Sequence, residues 1–178
     1  MDFGTITKDT LREILGTLNP NDPNAQGAIG TINQYLAAQN VQAIPYTYRA
    51  AYWTTGAANN LAAGVANVPF NVNIQSDADF LLLNQTYYNN QLNAAYNSGA
   101  VPVPNIHVLL TDTGSSATMM DQPVPVHTIF GDGKFPYILP NPKLLLAKSS
   151  LQVLVTNFDA AAGYNLFLMF NGVKLVRF

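Results

Sequence analysis

Charge is scarce in this sequence. Of 178 residues, 8 are Lys or Arg and 10 are Asp or Glu, so charged residues make up 10% of the chain. Soluble domains carry about a quarter charged residues on average. The net charge of -2 is spread along the chain and forms no clustered basic face of the kind that binds nucleic acid phosphates. We therefore expect no nucleic acid partner.

Cysteine and long apolar runs are also lacking. With no Cys in the chain, disulfides, thiolate metal ligands and cysteine nucleophiles are excluded. No stretch approaches the roughly 18 apolar residues that span a bilayer. Residues 1–20 have neither the basic start nor the apolar run of a signal peptide. We expect no membrane partner, and folding in the compartment where the chain is made.

Apolar and amide side chains make up much of the remainder. Hydrophobic residues account for 48% of the chain, and 20 residues are Asn. Disordered chains combine low hydrophobicity with high net charge, so disorder is not expected. The length is that of one domain with one sizeable core.

Residues 1–44 have the pattern of two short amphipathic helices. Thr10 and Glu13 match a capping box, and Asp22 followed by Pro23 matches a cap with proline at the first helical position. The apolar stripes consist of Leu11, Ile14 and Leu15 in the first helix and of Ile29, Ile32 and Leu36 in the second. Helices this short are marginal alone. We predict a helical arm that docks on a body or on a neighbouring subunit.

Residues 45–178 have the pattern of a β domain. Short runs rich in Val, Ile, Tyr, Phe and Thr alternate with turn residues, and no helix recurs between them. The fold class predicted is mainly β, an antiparallel β-sandwich, jelly-roll-like, with the short N-terminal helical arm. The predicted strands are Pro45–Trp53, Val68–Gln75, Asp79–Tyr88, Asn105–Thr111, Val124–Phe130, Leu151–Asn157, Asn165–Phe170 and Val173–Phe178.

Asn171-Gly172 separates the last two predicted strands. Both residue types accept the positive φ of a type I′ turn, so this dipeptide predicts a tight hairpin. The prolines at 136, 140 and 142 predict a connection rather than a strand.

Asp112-Thr113-Gly114-Ser115 follows the apolar run Val108 to Leu110, as in aspartic proteases. Because the chain contains one copy of this motif, a protease of this type would have to be a homodimer that brings two carboxylates together. The alternative is a strand that ends in a turn, with Asp112 bonding its own backbone and Gly114 supplying positive φ. The downstream Ile-Phe-Gly element lies too close for the protease pattern, so we favour the turn.

Three further patterns favour structural roles. Gly131-Asp132-Gly133-Lys134 lacks the spacing of a phosphate loop and predicts a hairpin turn. Asp77 and Asp79 together supply too few oxygen ligands for a calcium site. They predict instead a cap and turn before the strand at Phe80. His107 and His127 would supply only two ligands of a zinc site, which needs more. We predict that both are half-buried residues in strands. We expect no metal and no cofactor.

Two runs of aromatic residues are candidates for binding. Tyr46, Tyr48 and Trp53 lie in the first run, and Tyr87 and Tyr88 lie in the second. If exposed, such rings could stack on sugars, as in a carbohydrate-binding or receptor-binding module. At strand spacing they are more often core and interface residues.

The second half of the chain resembles small structural proteins of tailed-phage virions, namely head decoration or minor capsid proteins. The resemblance covers residues 45–178. It is carried by Asp77 to Phe80, by the segment YILPNPKLLLAKSSLQVLVTN from Tyr137 to Asn157, and by the closing run Phe170 to Lys174. It implies a non-enzymatic virion component, made in the host cytoplasm, that forms a homo-oligomer, a trimer, and contacts other capsid proteins.

The scarcity of charge is concentrated in two segments of the β domain. No Asp, Glu, Lys or Arg lies between Arg49 and Asp77, and none between Asp79 and Asp112. Few charges suit a surface that packs against identical copies, because unpaired buried charge is costly. We predict subunit contacts in these segments and in the arm. A carbohydrate-binding module and a homodimeric aspartic protease remain alternatives.

Overall fold

The computed structural model describes residues 41–53, 59–91 and 104–177, together with Gln26 and Gly30. Gln26 and Gly30 are helical, and the rest of the predicted arm lies outside the described residues. In the described part of the chain, no helix is long and apolar enough to cross a membrane.

The described residues form β-strands connected by turns and one helical turn. The elements are β1 (Val41–Tyr52), β2 (Val68–Asn73), β3 (Ala78–Gln91), β4 (Ile106–Asp112), β5 (Ala117–Thr118), β6 (Val124–Pro125), α1 (Val126–Ile129), β7 (Tyr137–Leu145), β8 (Ser150–Asn157) and β9 (Tyr164–Arg177).

Two antiparallel sheets pack face to face. The first sheet has the order β1-β9-β3-β7. The second has the order β2-β8-β4-β5, and β6 also pairs with β4. The predicted antiparallel β-sandwich is therefore confirmed.

The path of the chain through the two sheets is that of a jelly roll. Strands β1, β3, β7 and β9 lie in the first sheet, and the strands between them in sequence lie in the second. The chain thus changes sheet at almost every connection, and sheet neighbours such as β1 and β9 are far apart in sequence. Two sheets wound in this way form the jelly-roll arrangement of two Greek keys.

The core lies between the sheets and follows from strand alternation. On β8, Leu151, Val153 and Val155 are buried while the residues between them are half-exposed. The hydroxyl of Tyr52 on β1 donates to the carbonyl of Val153 at 3.1 Å and so connects the two sheets. Burial raises the pKa of Tyr52 far above its usual value, which keeps the hydroxyl protonated as the donor.

The predicted hairpin at Asn171-Gly172 is wrong, because β9 runs straight through it. Gly172 pairs with Tyr46 on one side and with Leu82 on the other. A Cβ at Gly172 would overlap the carbonyl oxygen of Leu81, beside the bulge that leaves Leu83 unpaired with β9. Glycine in a strand can mark such a close approach of two backbones as readily as a turn.

The segment expected to be a proline-rich connection is strand β7. Pro140 and Pro142 lie on this strand, which among the described strands pairs only with β3, at the edge of the first sheet. Their missing N–H groups are tolerated at an edge strand and at a bulge. Both conditions hold, because residues 139–142 bulge opposite the single residue Leu83.

The predicted strand Val124–Phe130 is also wrong in most of its length. Only Val124 and Pro125 pair as β6, and Val126–Ile129 forms the helical turn α1. Pro125 has φ of -56°, which suits the residue that precedes a helix, and Phe130 N–H donates to Val126 at 2.9 Å. The turn carries Val126 and Phe130 into the core. In a run this short, the periodicity of apolar residues does not distinguish a helical turn from a strand.

The close approach at Gly172 generates a stability prediction. Gly172→Ala should lower the free energy of unfolding by about 2 to 3 kcal/mol, because the added methyl group overlaps the backbone of Leu81. Gly133→Ala is the matched control, since a Cβ there meets nothing within 4 Å. Urea unfolding followed by circular dichroism measures both variants. Equal losses for the two variants would contradict the strand assignment.

Candidate functional site

The outer surface of the first sheet carries exposed aromatic side chains. Alternation along β1 directs Tyr48, Ala50 and Tyr52 into the core, and therefore directs Arg49 and Trp53 outward. Trp53 immediately follows β1 and is 41% exposed. Tyr88 on β3 is 57% exposed on the same surface.

The register of three neighbouring strands brings these rings together around Phe167. On β9, Phe167 pairs with Ala51 of β1 on one side and with Tyr88 of β3 on the other. The ring centroids of Trp53 and Phe167 are 5.0 Å apart in an edge-on arrangement, and those of Tyr88 and Phe167 are 6.1 Å apart. Both distances are typical of interacting aromatic pairs. We call Trp53, Phe167, Tyr88 and Arg49 the aromatic face.

Arg49 adds one positive charge to the aromatic face. Its guanidinium carbon lies 5.8 Å from the ring centroid of Phe167, within the range of a cation–π contact. The rings come from strand segments without acidic residues, so no carboxylate on β1 or in residues 164–173 of β9 competes for the guanidinium. The surface combines large apolar area with a planar cation, a combination enriched in protein interfaces.

A row of polar side chains borders the aromatic face. Thr47 donates to the amide oxygen of Asn171 at 2.8 Å, and the amide nitrogen of Asn171 donates to Asn84 at 2.9 Å. The row crosses β1, β9 and β3 on the outward side. Asn171 therefore acts as a cross-strand bridge, and the sequence pattern that suggested a turn residue reflects this role.

The predicted aromatic residues divide between surface and core. Trp53 and Tyr88 are exposed on the aromatic face, whereas Tyr46 and Tyr87 are partly buried against the core. Tyr48 is 8% exposed and its hydroxyl accepts from the backbone N–H of Gln75 at 3.0 Å. Burial raises the pKa of the Tyr48 hydroxyl. Tyr48 is a core residue and its place among the interface candidates is corrected.

The predicted interface residues of the arm lie outside the described residues. These are Leu11, Ile14, Leu15, Ile29, Ile32 and Leu36.

Phe167 was missed as a site residue. The signal was present, because Asn165, Phe167 and Met169 alternate with the buried Leu166, Leu168 and Phe170. Alternation alone does not tell which of two apolar sets faces the core, and that choice depends on the partner strands.

Asp112 is the last residue of β4 and its carboxylate bonds the turn that follows, as the turn interpretation predicted. Its carboxylate accepts from the N–H of Gly114 at 3.0 Å and from the hydroxyl of Ser115 at 2.6 Å. Lys143 on β7 pairs with it at 3.3 Å, so the carboxylate also connects the two sheets. The expected positive φ belongs to Ser116, not to Gly114.

The environment of Asp112 differs from that of a catalytic dyad. The residue is 3% exposed, and three groups of its own chain occupy its carboxylate oxygens. A dyad requires a carboxylate facing a second carboxylate. The contacts therefore favour a structural role for this motif.

Asp77 and Asp79 each have a partner within the fold. Asp77 pairs with the nearly buried ammonium of Lys174 at 3.1 Å, and Lys174 lies 4.2 Å from the ring centroid of Tyr46. Asp79 accepts from the N–H of Ala147 at 2.8 Å and joins β3 to the turn after β7. These contacts join segments that are distant in sequence, which differs from the predicted local cap and turn.

The two histidines have different environments. His107 is half-buried in β4, as predicted, and its ring packs edge-on against Phe158 at 4.7 Å between centroids. His127 is exposed and lies on α1 instead of a strand. Within residues 41–53, 59–91 and 104–177, no group of three or more His, Asp or Glu side chains could hold a metal ion.

The predicted turn at Gly131 to Lys134 is present but is not a hairpin. The Asp132 carboxylate accepts from the N–H groups of Lys134 and Phe135. The turn connects α1 to β7, and Gly131 pairs with Thr86 of β3. The aspartate and glycine indicated the turn, while the strands on either side depended on tertiary structure.

The buried carboxylate of Asp112 generates a second stability prediction. Asp112→Ala should lower the free energy of unfolding by about 2 to 3 kcal/mol, because it leaves two donors and the Lys143 ammonium without their acceptor. The exposed Asp121 provides the control, and Asp121→Ala should change stability by less than about 0.5 kcal/mol. Thermal and urea unfolding measure both. A neutral Asp112→Ala would show that the carboxylate does not stabilise the contact between the sheets.

Comparison of the chain with protein families, with curated proteins and with solved structures found no match.

Proposed function

We propose that this chain is a structural component of a tailed-phage virion that decorates or cements the capsid. It would act by self-association of the β domain and by attachment through the N-terminal arm. The observation that carries the proposal is the strand order, β1-β9-β3-β7 packed on β2-β8-β4-β5. Jelly rolls of this kind serve as viral capsid domains, as lectins and as cupins. The resemblance of residues 45–178 to virion proteins selects the first of these uses.

The aromatic face supports self-association. Trp53 and Tyr88 are exposed in a single chain, and the aromatic face includes one charged residue, Arg49. Aromatic residues and arginine contribute most to the binding energy of protein interfaces, whereas other charged residues are depleted there. The bordering row of Thr47, Asn171 and Asn84 would form the polar rim. In this proposal, contact between copies removes Trp53 and Tyr88 from water.

The two apolar stripes of the arm support attachment. We propose that they pack on apolar surface of a neighbouring subunit or shell protein. Leu81, Val173 and Leu175 on the first sheet point away from the second sheet but are buried within this chain, so they do not form a free docking surface. Burying six aliphatic side chains at roughly 1.5–3 kcal/mol each would offset much of the cost of ordering the arm.

Self-association through the aromatic face predicts a concentration-dependent change in fluorescence. Trp53 is the single tryptophan of the chain, so its emission reports on this surface alone. The emission maximum should shift to shorter wavelength as protein concentration rises, because association removes the indole from water. Tyr88→Asp should abolish the shift by placing a charge in the contact.

The control for this experiment is Phe158→Asp. Phe158 is an equally exposed aromatic residue that packs against His107, away from the aromatic face. The variant should retain the shift. An emission maximum independent of concentration in the unmodified chain would argue against this face as the subunit contact.

Attachment through the arm predicts loss of particle binding on truncation. Deletion of residues 1–40 should leave a folded β domain that no longer co-sediments with virus particles. Ile14→Asp with Ile32→Asp tests the same stripes in the full chain, and Lys8→Ala is a control that leaves both stripes intact. Circular dichroism confirms folding of each variant. Normal occupancy of particles by the truncated protein would overturn the role of the arm.

The exposed rings also favour a second candidate, a carbohydrate-binding module. Trp53 and Tyr88 present ring faces and edges that could stack on sugars, and lectins share the jelly-roll architecture. A glycan array separates the two candidates. Binding that is lost in Tyr88→Ala and retained in Phe158→Ala would favour the carbohydrate function over self-association.

A further inference from the structure

A cavity of about 260 Å³ opens between the two sheets, at the edge of the sandwich formed by β7 and β5. Its apolar lining comes from both sheets and from α1. The main lining residues are Leu110, Met119, Met120, Ile129, Leu139 and Gln85. This cavity is separate from the aromatic face, which lies on the outer surface of the first sheet.

Two irregularities keep this edge of the sandwich open. The strand β5 has only two residues, so it covers little of the edge next to β4. On the opposite side, residues 139–142 of β7 bulge opposite Leu83, so they do not continue the ladder with β3. The bulge carries Leu139, Pro140 and Asn141 to the rim of the cavity. Bulges are common next to binding sites because they redirect side chains.

Gln85 places an amide in the wall of this cavity. The residue is 2% exposed, yet among the described residues the buried side-chain polar atom without a partner is Nδ2 of Asn89, not an atom of Gln85. The alternation of β3 directs Gln85 toward the second sheet, where it lines the cavity. Its amide therefore offers a donor and an acceptor at the cavity wall.

We propose that this cavity binds a small molecule that consists of a compact apolar ring and a planar carboxamide. An apolar cavity of about 150 Å³ already holds benzene, so a ring with one substituent fits the volume here. The carboxamide of such a ligand pairs head to head with the amide of Gln85, one N–H donating in each direction. The flexible side chains of Met119 and Met120 adapt to the ring.

Benzamide is the probe for this site, and methionine methyl groups provide the readout. The chain has four Met residues, at positions 1, 119, 120 and 169. In the full chain labelled with [¹³C-methyl]methionine, benzamide should shift the signals of Met119 and Met120 in a saturable manner. Met169 is on the outer surface of β9 and should not shift. Toluene, which has the ring without the amide, should bind about tenfold more weakly or worse.

Two variants and a control test the role of Gln85. Gln85→Leu should bind benzamide at least about tenfold more weakly while the fold is kept, because the substitution removes the amide and leaves a side chain of similar size. Gln152→Leu makes the same change on β8, outside the cavity, and should bind normally. Ile129→Trp fills the cavity from α1 and should abolish the shifts, which tests the site even where Gln85→Leu fails to fold.

Each remaining outcome would overturn the proposal. Absence of saturable shifts at Met119 and Met120 means that the cavity is not a binding site. Equal affinity for toluene and benzamide, or an unchanged affinity in Gln85→Leu, removes the amide as the recognition element. Shifts that persist in Ile129→Trp place the probe elsewhere. None of these results depends on self-association or on particle attachment.

Discussion

The pairing of β9 on both of its edges is the interaction on which the rest of the structure depends. This strand of 14 residues pairs with β1 along one edge and with β3 along the other, so the first and last described strands are neighbours in one sheet. Continuous pairing requires a glycine at position 172, where the backbone of β3 comes too close for a Cβ. It also aligns the outward side chains of three strands in rows. The aromatic row and the amide row are two consequences of this single register.

Much of the fold could be predicted from the sequence, because its signals are local. Alternation in segments such as Leu151–Asn157 indicates strands, and the absence of repeated helices indicates an antiparallel sandwich. The errors occurred where a local signal has two physical origins. Asn171-Gly172 fits a turn and also fits a bulge with a cross-strand amide bridge. Pro140 and Pro142 fit a connection and also fit an edge strand. The neighbouring strands decide between these structures. For Asn171, the residues that it contacts on β3 lie 85 or more positions away in the sequence.

The candidate site was predicted in part for the same reason. Trp53 and Tyr88 were among the predicted interface residues, while Tyr48 belongs to the core and Phe167 was missed. The sheet register that places Phe167 between Trp53 and Tyr88 is a long-range property. The cavity beside Gln85 had no sequence signal, since a lone glutamine in an apolar strand is read as a surface residue. Both sites arise from the jelly-roll winding, one on the outer face of a sheet and one at its open edge.

Low charge is the property that unites the sequence, the fold and the proposed function. The uncharged segments after Arg49 and after Asp79 supply Trp53 and Tyr88, and the surface that they form is suited to contact with another copy. The most direct test of this account is the molar mass of the purified chain at neutral pH, measured by light scattering over a range of concentrations. The account predicts a multiple of the chain mass of 19.3 kDa, with three copies expected from the resemblance to virion proteins. A mass of one chain at every concentration would contradict it.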